Sequence, residues 1–232
     1  MKTIGVLGGL GPQATMDFEA RVHAVSQRLI PQLANSGYPP MVVYYHRHPP
    51  FLVDETLHPI FPLTPDPHLA AALGKLGKMV DFLVCSSNAP HMIRDAIEQM
   101  AGCPMLSIID QTLEEIRKRG WQHVGVLGLG EPKVYKVPLE QLDLICETLP
   151  DEPGGLRDKL DDAILRLMAG QTTLQDKTRA VEAVNLLRAR SVDGVILGCT
   201  EIPLLLGNEA EGDDLVNPSR LLAEAAVRFA ME

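Results

Sequence analysis

Short apolar runs alternate along the chain with longer segments in which apolar residues recur every three or four positions. The runs are typical of buried parallel strands, and the periodic segments are typical of the helices that connect them. The pattern predicts strands near 3–8, 41–46, 80–85, 104–108, 123–127 and 193–198. It predicts helices over 12–30, 66–77, 90–101, 110–119, 156–169, 173–190 and 218–230. The fold class is therefore α/β, with mainly parallel sheets flanked by helices.

Prolines mark three of the predicted helix starts. Pro12, Pro90 and Pro218 each stand at the beginning of a periodic segment. Proline is favoured in the first helical turn, because its missing N–H has no partner there in any case.

The chain also repeats itself. Residues 4–12 read IGVLGGLGP and residues 124–132 read VGVLGLGEP, while a later strand in each part ends in LVCSSNAP (83–90) or VILGCTEIP (195–203). The repeat predicts two pseudo-symmetric flavodoxin-like domains, one formed by 1–107 plus 210–232 and the other by 108–209.

Candidate chemistry is concentrated at the ends of these strands. Ligands of open α/β sheets bind outside the carboxyl ends of the strands, where Ser87 and Cys199 stand. We therefore expect the two domains to face each other across a cleft that holds the active site. Helix starts after Gly11, Asn88 and Thr200 present backbone N–H groups that attract anions, so a small carboxylate is the predicted ligand.

Composition narrows the classes of partner. Hydrophobic residues make up 46% of the chain, and the net charge of −9 argues against binding to nucleic acid. No signal peptide and no apolar stretch of membrane-spanning length is recognisable, which favours a soluble cytoplasmic protein without membrane contact. The four cysteines form no C-x-x-C pair, so we expect neither a metal site nor disulfides.

Two motifs carry a family resemblance. Residues 8–15 (GGLGPQAT) and 198–201 (GCTE) resemble motifs of the aspartate/glutamate racemase superfamily. The resemblance implies racemisation or epimerisation next to a carboxylate, without a cofactor, by thiol acid/base proton transfer. It implies an amino acid or related small carboxylate as substrate and a homodimer as assembly. It assigns catalysis to Cys199 and substrate binding to other motif residues: Gly11, Thr15, Asn88, Thr200 and Glu201.

The sequence departs from the family pattern at three positions. Ser87 stands where the family has its first catalytic cysteine, and Glu55 stands where typical aspartate racemases have a carboxylate-binding arginine. Met168 occupies the place of an expected lysine. Arg47 is the candidate substitute cation. Specificity for acidic amino acids is therefore not implied.

Three functions remain open because serine lacks an accessible anionic form comparable to a thiolate. The first is an asymmetric racemase in which Ser87 or an ordered water completes the transfer. The second is a one-thiol decarboxylase, and the third is a carboxylate-binding homologue without turnover. All three use Cys199. Cys85, two residues before Ser87 on the same strand face, is a candidate replacement thiol.

Two further motifs indicate other chemistries weakly. Gly9, Gly11 and Ala14 satisfy the dinucleotide-binding fingerprint, but the next predicted strand ends in His46-Arg47-His48 and not in the acidic residue that the fingerprint expects. A nicotinamide-dependent dehydrogenase is thus the runner-up. His46 and His48 share a strand face, as metal ligands would, but no third ligand is evident, and we interpret them as lining or surface residues.

Overall fold

The computed structural model describes residues 1–55 and 59–232, which form two compact units. The first unit is Met1–Ile108 together with Ser219–Glu232, and the second is Ile109–Pro218. The second unit extends beyond the predicted limit at 209, because a short strand near its end pairs with the sheet of that unit.

The first unit contains a three-stranded parallel sheet. Its elements are β1 (Ile4–Gly8), α1 (Pro12–Leu29), β2 (Met41–Tyr45), α2 (Pro67–Leu76), β3 (Phe82–Cys85) and α3 (Arg94–Ala101). The strand order is β2-β1-β3, so the wholly buried β1 lies in the middle. A 3-10 turn over Ala89–Ile93 separates β3 from α3.

The second unit contains a four-stranded parallel sheet in the order β5-β4-β6-β7. Its elements are α4 (Ile108–Arg119), β4 (His123–Leu127), α5 (Lys133–Gln141), β5 (Ile145–Glu147), α6 (Leu156–Met168), α7 (Leu174–Arg188), β6 (Gly194–Leu197), α8 (Ile202–Leu206) and β7 (Leu215–Val216). The last helix, α9 (Pro218–Met231), packs in the first unit, where the Phe229 ring meets the edge of Phe82 at 4.8 Å.

Apolar stripes on the helices build a core in each unit. On α2, Leu69, Leu73 and Leu76 recur at helical spacing and pack in one cluster with Leu83 of β3. In the second unit, α6 and α7 pack on the sheet and are joined at their ends by Arg166, which donates to the buried Asp176 carboxylate over 2.9 Å. These cores fix the carboxyl ends of β3 and β6.

The predicted α/β class with parallel sheets and flanking helices is confirmed. The strand predicted at 104–108 is wrong: only Met105 bridges to Leu83, and Ile108 already begins α4. The helix predicted from residue 90 begins at Arg94, after the 3-10 turn. The sequence pattern gave no sign of α5, α8, β5 or β7.

Within residues 1–55 and 59–232, no helix combines the length and apolarity needed to cross a bilayer. The same described residues include no group of three or more His, Cys, Asp or Glu side chains placed to hold a metal ion.

Candidate active-site loops

Sheet register gives Ser87 and Cys199 equivalent positions in their units. Leu7 of β1 pairs with Cys85, and Leu127 of β4 pairs with Leu197. Ser87 and Cys199 each follow the paired residue by two positions, at the carboxyl end of the strand beside the central Gly-rich strand. The repeat seen in the sequence is therefore also a repeat of strand register.

Cys199 lies in a loop that supplies its own carboxylate. The half-buried thiol of Cys199 donates a hydrogen bond to Oε2 of Glu201 over 3.1 Å, and the Thr200 hydroxyl donates to the same oxygen over 3.0 Å. Both Thr200 and Glu201 are buried. The backbone N–H of Glu201 also donates to the sulfur. Thiol, hydroxyl and carboxylate thus form one local hydrogen-bonded group.

The surroundings of Cys199 hold its proton on the sulfur. Burial raises the pKa of the Cys199 thiol well above its usual value, and the nearby charge of Glu201 raises it further. Asp161 of α6 acts in the same direction, and burial raises the pKa of that carboxyl too. The Cys199 thiol thus carries its proton beside a carboxylate that can accept it.

Ser87 has no comparable partner. Its side chain is half-buried, and among the described residues no side chain hydrogen-bonds to its hydroxyl. The buried His91 does not serve as its base: the His91 Nδ1–H donates to the Ser87 carbonyl over 3.0 Å, and Nε2 accepts from the Ile108 N–H over 3.2 Å. His91 therefore fixes the loop backbone and is not in place to act as a base for the hydroxyl.

Thr15 holds the glycine-rich turn. Its fully buried hydroxyl accepts from the Gly9 N–H over 2.9 Å, donates to the Gly11 carbonyl over 2.9 Å, and lies 3.0 Å from the Ser86 hydroxyl. Gly9 has a φ of 83°, in the left-handed region that favours glycine. The Thr15 hydroxyl thus stabilises the glycine-rich turn, and direct contact of Gly11 and Thr15 with a substrate stays a prediction.

The remaining predicted site residues differ in burial and in the element that carries them. Asn88 is buried at the start of the 3-10 turn, so no long helix begins there; α8, after Thr200, is only five residues long. Of the three predicted helix starts, only the one after Gly11 begins a long helix. Arg47 is exposed at the end of β2, where it donates to the Gly9 carbonyl over 3.3 Å and lies over the Tyr45 ring.

Cys85 is not available as a replacement thiol. It is fully buried in the apolar cluster beneath β3, and burial raises the pKa of its thiol to about 12. The sulfur of Cys85 therefore lies in the core, although the sequence placed Cys85 on the same strand face as Ser87. Glu55 is exposed, while the adjacent Thr56 lies outside the described residues. Met168 packs against the core of the second unit.

Histidines gather near the end of β2. His46 is buried, and burial lowers the pKa of its imidazole. His48 stacks in parallel on His68 with ring centroids 3.9 Å apart, and His68 pairs with Asp66. The sequence signalled the first two residues but gave no means to foresee His68, which lies 20 positions after His48 in the chain.

Comparison with known proteins decides the family. Residues 7–226 match the family model for Asp/Glu/Hydantoin racemase, which covers most of the chain and both loops. The chain belongs to this family. It is 26% identical over 233 residues to the broad specificity amino-acid racemase RacX of Bacillus subtilis, covering 97% of this chain and 96% of the relative.

Solved structures of other proteins share the fold of this chain. The aspartate racemase of Picrophilus torridus superposes with a TM-score of 0.77 at 19% identity, covering 100% of this chain and 95% of that one. An aspartate racemase homologue from Pyrococcus horikoshii superposes with a TM-score of 0.74 at 24% identity over the full length of both chains. At these identities the likeness establishes the α/β fold.

Proposed function

We propose that this protein is an amino-acid racemase or epimerase that transfers a proton at the carbon next to a carboxylate, with Cys199 as its principal acid/base group. The observation that carries the proposal is the hydrogen bond from the Cys199 thiol to Glu201, because it places a proton donor and its acceptor in one loop. Family membership and the similarity to an amino-acid racemase support the reaction class.

In the proposed reaction, the thiol of Cys199 acts as a relay: its proton passes to Glu201 as the sulfur takes the α-proton of the substrate, so no free thiolate has to form first. The electron pair of the C–H bond passes into the carboxylate, giving an enediolate. Return of a proton from the thiol restores the original enantiomer, and delivery to the other face gives its mirror image. We assign that delivery to the Ser87 hydroxyl, directly or through a water. The proton held by Glu201 then passes through solvent to Ser87, which restores both groups for the next turnover.

The proposed substrates are amino acids with neutral or basic side chains. Glu55 takes the place of the arginine that binds the side-chain carboxylate in typical aspartate racemases, which removes the attraction for an acidic side chain. The relative from Bacillus subtilis is described as having broad specificity, which agrees with a substrate range beyond aspartate and glutamate.

Incubation with single enantiomers in deuterated water tests the proposal. The panel would hold alanine, leucine, lysine, arginine, aspartate and glutamate, with α-deuteration followed by NMR and configuration by chiral chromatography. We expect deuteration that Cys199→Ala abolishes and Cys103→Ala, which alters a partly buried thiol elsewhere, retains. Absence of exchange across the panel and across related hydroxy acids would refute the racemase.

A one-thiol decarboxylase is the second candidate, favoured by the protonated state of Cys199 and the unactivated Ser87. In that reaction the bond from the α-carbon to one carboxylate of a substituted malonate breaks, carbon dioxide leaves, and the Cys199 thiol protonates one face of the enediolate. Release of carbon dioxide from 2-methyl-2-phenylmalonate or 2-amino-2-methylmalonate, with a single enantiomer of 2-phenylpropionate or alanine as product, would establish it. An amino acid that stabilises wild type and Cys199→Ala equally without turnover would instead indicate a binding homologue.

A further inference from the structure

The loop that carries Cys199 rests on a buried aromatic ring. Gly198 comes so close to Tyr135 of α5 that a Cβ at Gly198 would lie 3.1 Å from Cδ2 and 3.2 Å from Cε2 of that ring. The same Cβ would lie 2.6 Å from the Leu127 carbonyl oxygen. Gly198 is thus fixed between the end of β4 and the Tyr135 ring, and both contacts depend on glycine at this position.

Tyr135 is itself held firmly. It is fully buried and is among the largest side chains without exposure. Its hydroxyl forms a hydrogen bond with the side chain of Thr112, a buried residue of α4. The charge of a Cys199 thiolate would act on the phenol and raise its pKa, which agrees with the proximity of the two groups. The ring is therefore a rigid support adjacent to the reactive loop.

The first unit contains an equivalent contact, made by a hydroxyl group and not by an aromatic ring. Thr15 follows Leu7 by eight positions, as Tyr135 follows Leu127. The Thr15 hydroxyl contacts the hydroxyl of Ser86, the residue before Ser87, and the Tyr135 ring contacts Gly198, the residue before Cys199. In each unit, the residue at this register position supports the residue that precedes the candidate reactive one.

We propose that Tyr135 is a positioning residue: its ring, through Gly198, sets the direction of Cys199 and keeps the thiol beside Glu201. This role deepens the proposed function and rests on it for its catalytic meaning. Loss of the ring frees Gly198, so that the thiol moves away from Glu201 and becomes open to solvent. The hydroxyl of Tyr135 serves to hold the ring and does not take part in the chemistry.

Alkylation of Cys199 by iodoacetamide from pH 6 to 10, read by peptide mass spectrometry, tests this role without requiring turnover. In Tyr135→Leu we expect alkylation at pH 8 to be faster by about tenfold, the change that one unit of thiol pKa produces. Tyr135→Phe retains the ring, so its alkylation rate at pH 8 is expected to stay within about twofold of the wild-type rate. That change corresponds to less than about a third of a unit of thiol pKa. Should Tyr135→Leu not fold, Tyr135→Met, which preserves more volume, carries the same test.

The control variant is Leu187→Ala, which removes a buried side chain that packs against Gly125 in the same unit. It is expected to lower thermal stability and leave the alkylation profile unchanged. A Tyr135→Leu profile indistinguishable from that of Leu187→Ala would overturn the positioning role. The two proposals can fail separately. If wild type shows no α-deuteration but Tyr135→Leu has a shifted alkylation profile, the positioning role is upheld and the racemase is refuted.

Discussion

The thiol of Cys199 and the carboxylate of Glu201 are hydrogen-bonded at 3.1 Å within a single tight loop. Only one residue separates them, and its hydroxyl bonds to the same carboxylate oxygen. The proposed acid/base pair is therefore formed by near neighbours in the chain. This arrangement leads to opposite effects of one substitution on two measurable properties.

Glu201→Gln is expected to increase thiol reactivity and decrease catalysis. Removal of the charge favours the thiolate, so alkylation of Cys199 at pH 8 rises, by about tenfold for each unit by which the pKa falls. Loss of the proton acceptor slows α-deuterium exchange by about 10²- to 10⁴-fold, the usual contribution of a general acid/base. Iodoacetamide alkylation and NMR measure the two effects. Glu209→Gln, at a partly exposed ion pair with Lys177, is the control, and parallel changes in both rates would contradict the pairing.

Ser87→Cys is expected to increase racemisation relative to exchange. Ser87 has the register position of Cys199, so a thiol there restores the second acid/base group that the family motif contains. The expected gain in the ratio of inverted to retained deuterated product is about tenfold or more, as one added acid/base group contributes at least that. Ser36→Cys adds a thiol to an exposed loop and controls for cysteine itself. A ratio that does not change in Ser87→Cys would exclude Ser87 from the proton transfer.

Thr15→Val is expected to destabilise the first unit by about 1–3 kcal/mol. The valine keeps the shape of the side chain but leaves the Gly9 N–H without its acceptor in a buried place. Urea unfolding followed by circular dichroism measures the change. Thr15→Ser retains the hydroxyl, so most of the stability should remain; an equal loss in both variants would show that the methyl group, which packs on Gly8, matters more.

Asp176 is expected to stabilise the protein only above acidic pH. The hydrogen bond from Arg166 lowers the pKa of the Asp176 carboxyl below its usual value of 3.8. A carboxyl whose pKa is lower in the folded state stabilises at pH values above the unfolded pKa, and this stabilisation is lost as the pH falls through the folded pKa. Asp176→Asn should therefore lower the free energy of unfolding at pH 7 by about 1.5–3 kcal/mol, as expected for hydrogen bonds to a charged group.

The same difference between wild type and Asp176→Asn should shrink below about pH 4, near the unfolded pKa of an aspartate. Chemical unfolding at pH 7 and at pH 3 is the measurement. Glu182→Gln, at a more exposed pair with Arg179, should change stability by less than about 1 kcal/mol at either pH. A constant Asp176→Asn deficit across this range would show that side-chain packing, and not charge, accounts for it.

Sequence reasoning recovered the elements whose residues are uniformly apolar or strongly periodic. The strands beginning at Ile4 and Gly194 are completely buried, so every position is apolar or glycine and the pattern is clear. The strand at Ile145–Glu147 is short, lies at a sheet edge and includes a glutamate, and Leu215–Val216 is too short for any periodicity. Pro138 lies inside α5 and obscures its helical pattern.

The candidate site was predictable where it depends on adjacent residues and not where it depends on folding. Cys199, Thr200 and Glu201 are contiguous, so their proximity follows from the chain itself. The raised pKa of Cys199 depends on burial, which no local motif reveals. The support from Tyr135 joins residues far apart in sequence; the only available signal was that Tyr135 occupies the place in the second repeat that Thr15 occupies in the first.

The raised pKa of Cys199 has a consequence for the resistance of this thiol to oxidation. Peroxides oxidise the thiolate, and a thiol that retains its proton at neutral pH reacts with them slowly. The raised pKa of Cys199 is therefore expected to slow its conversion to sulfenic and sulfinic acids. An enzyme of the proposed kind would thus lose activity to peroxides more slowly than one whose catalytic cysteine is ionised at neutral pH.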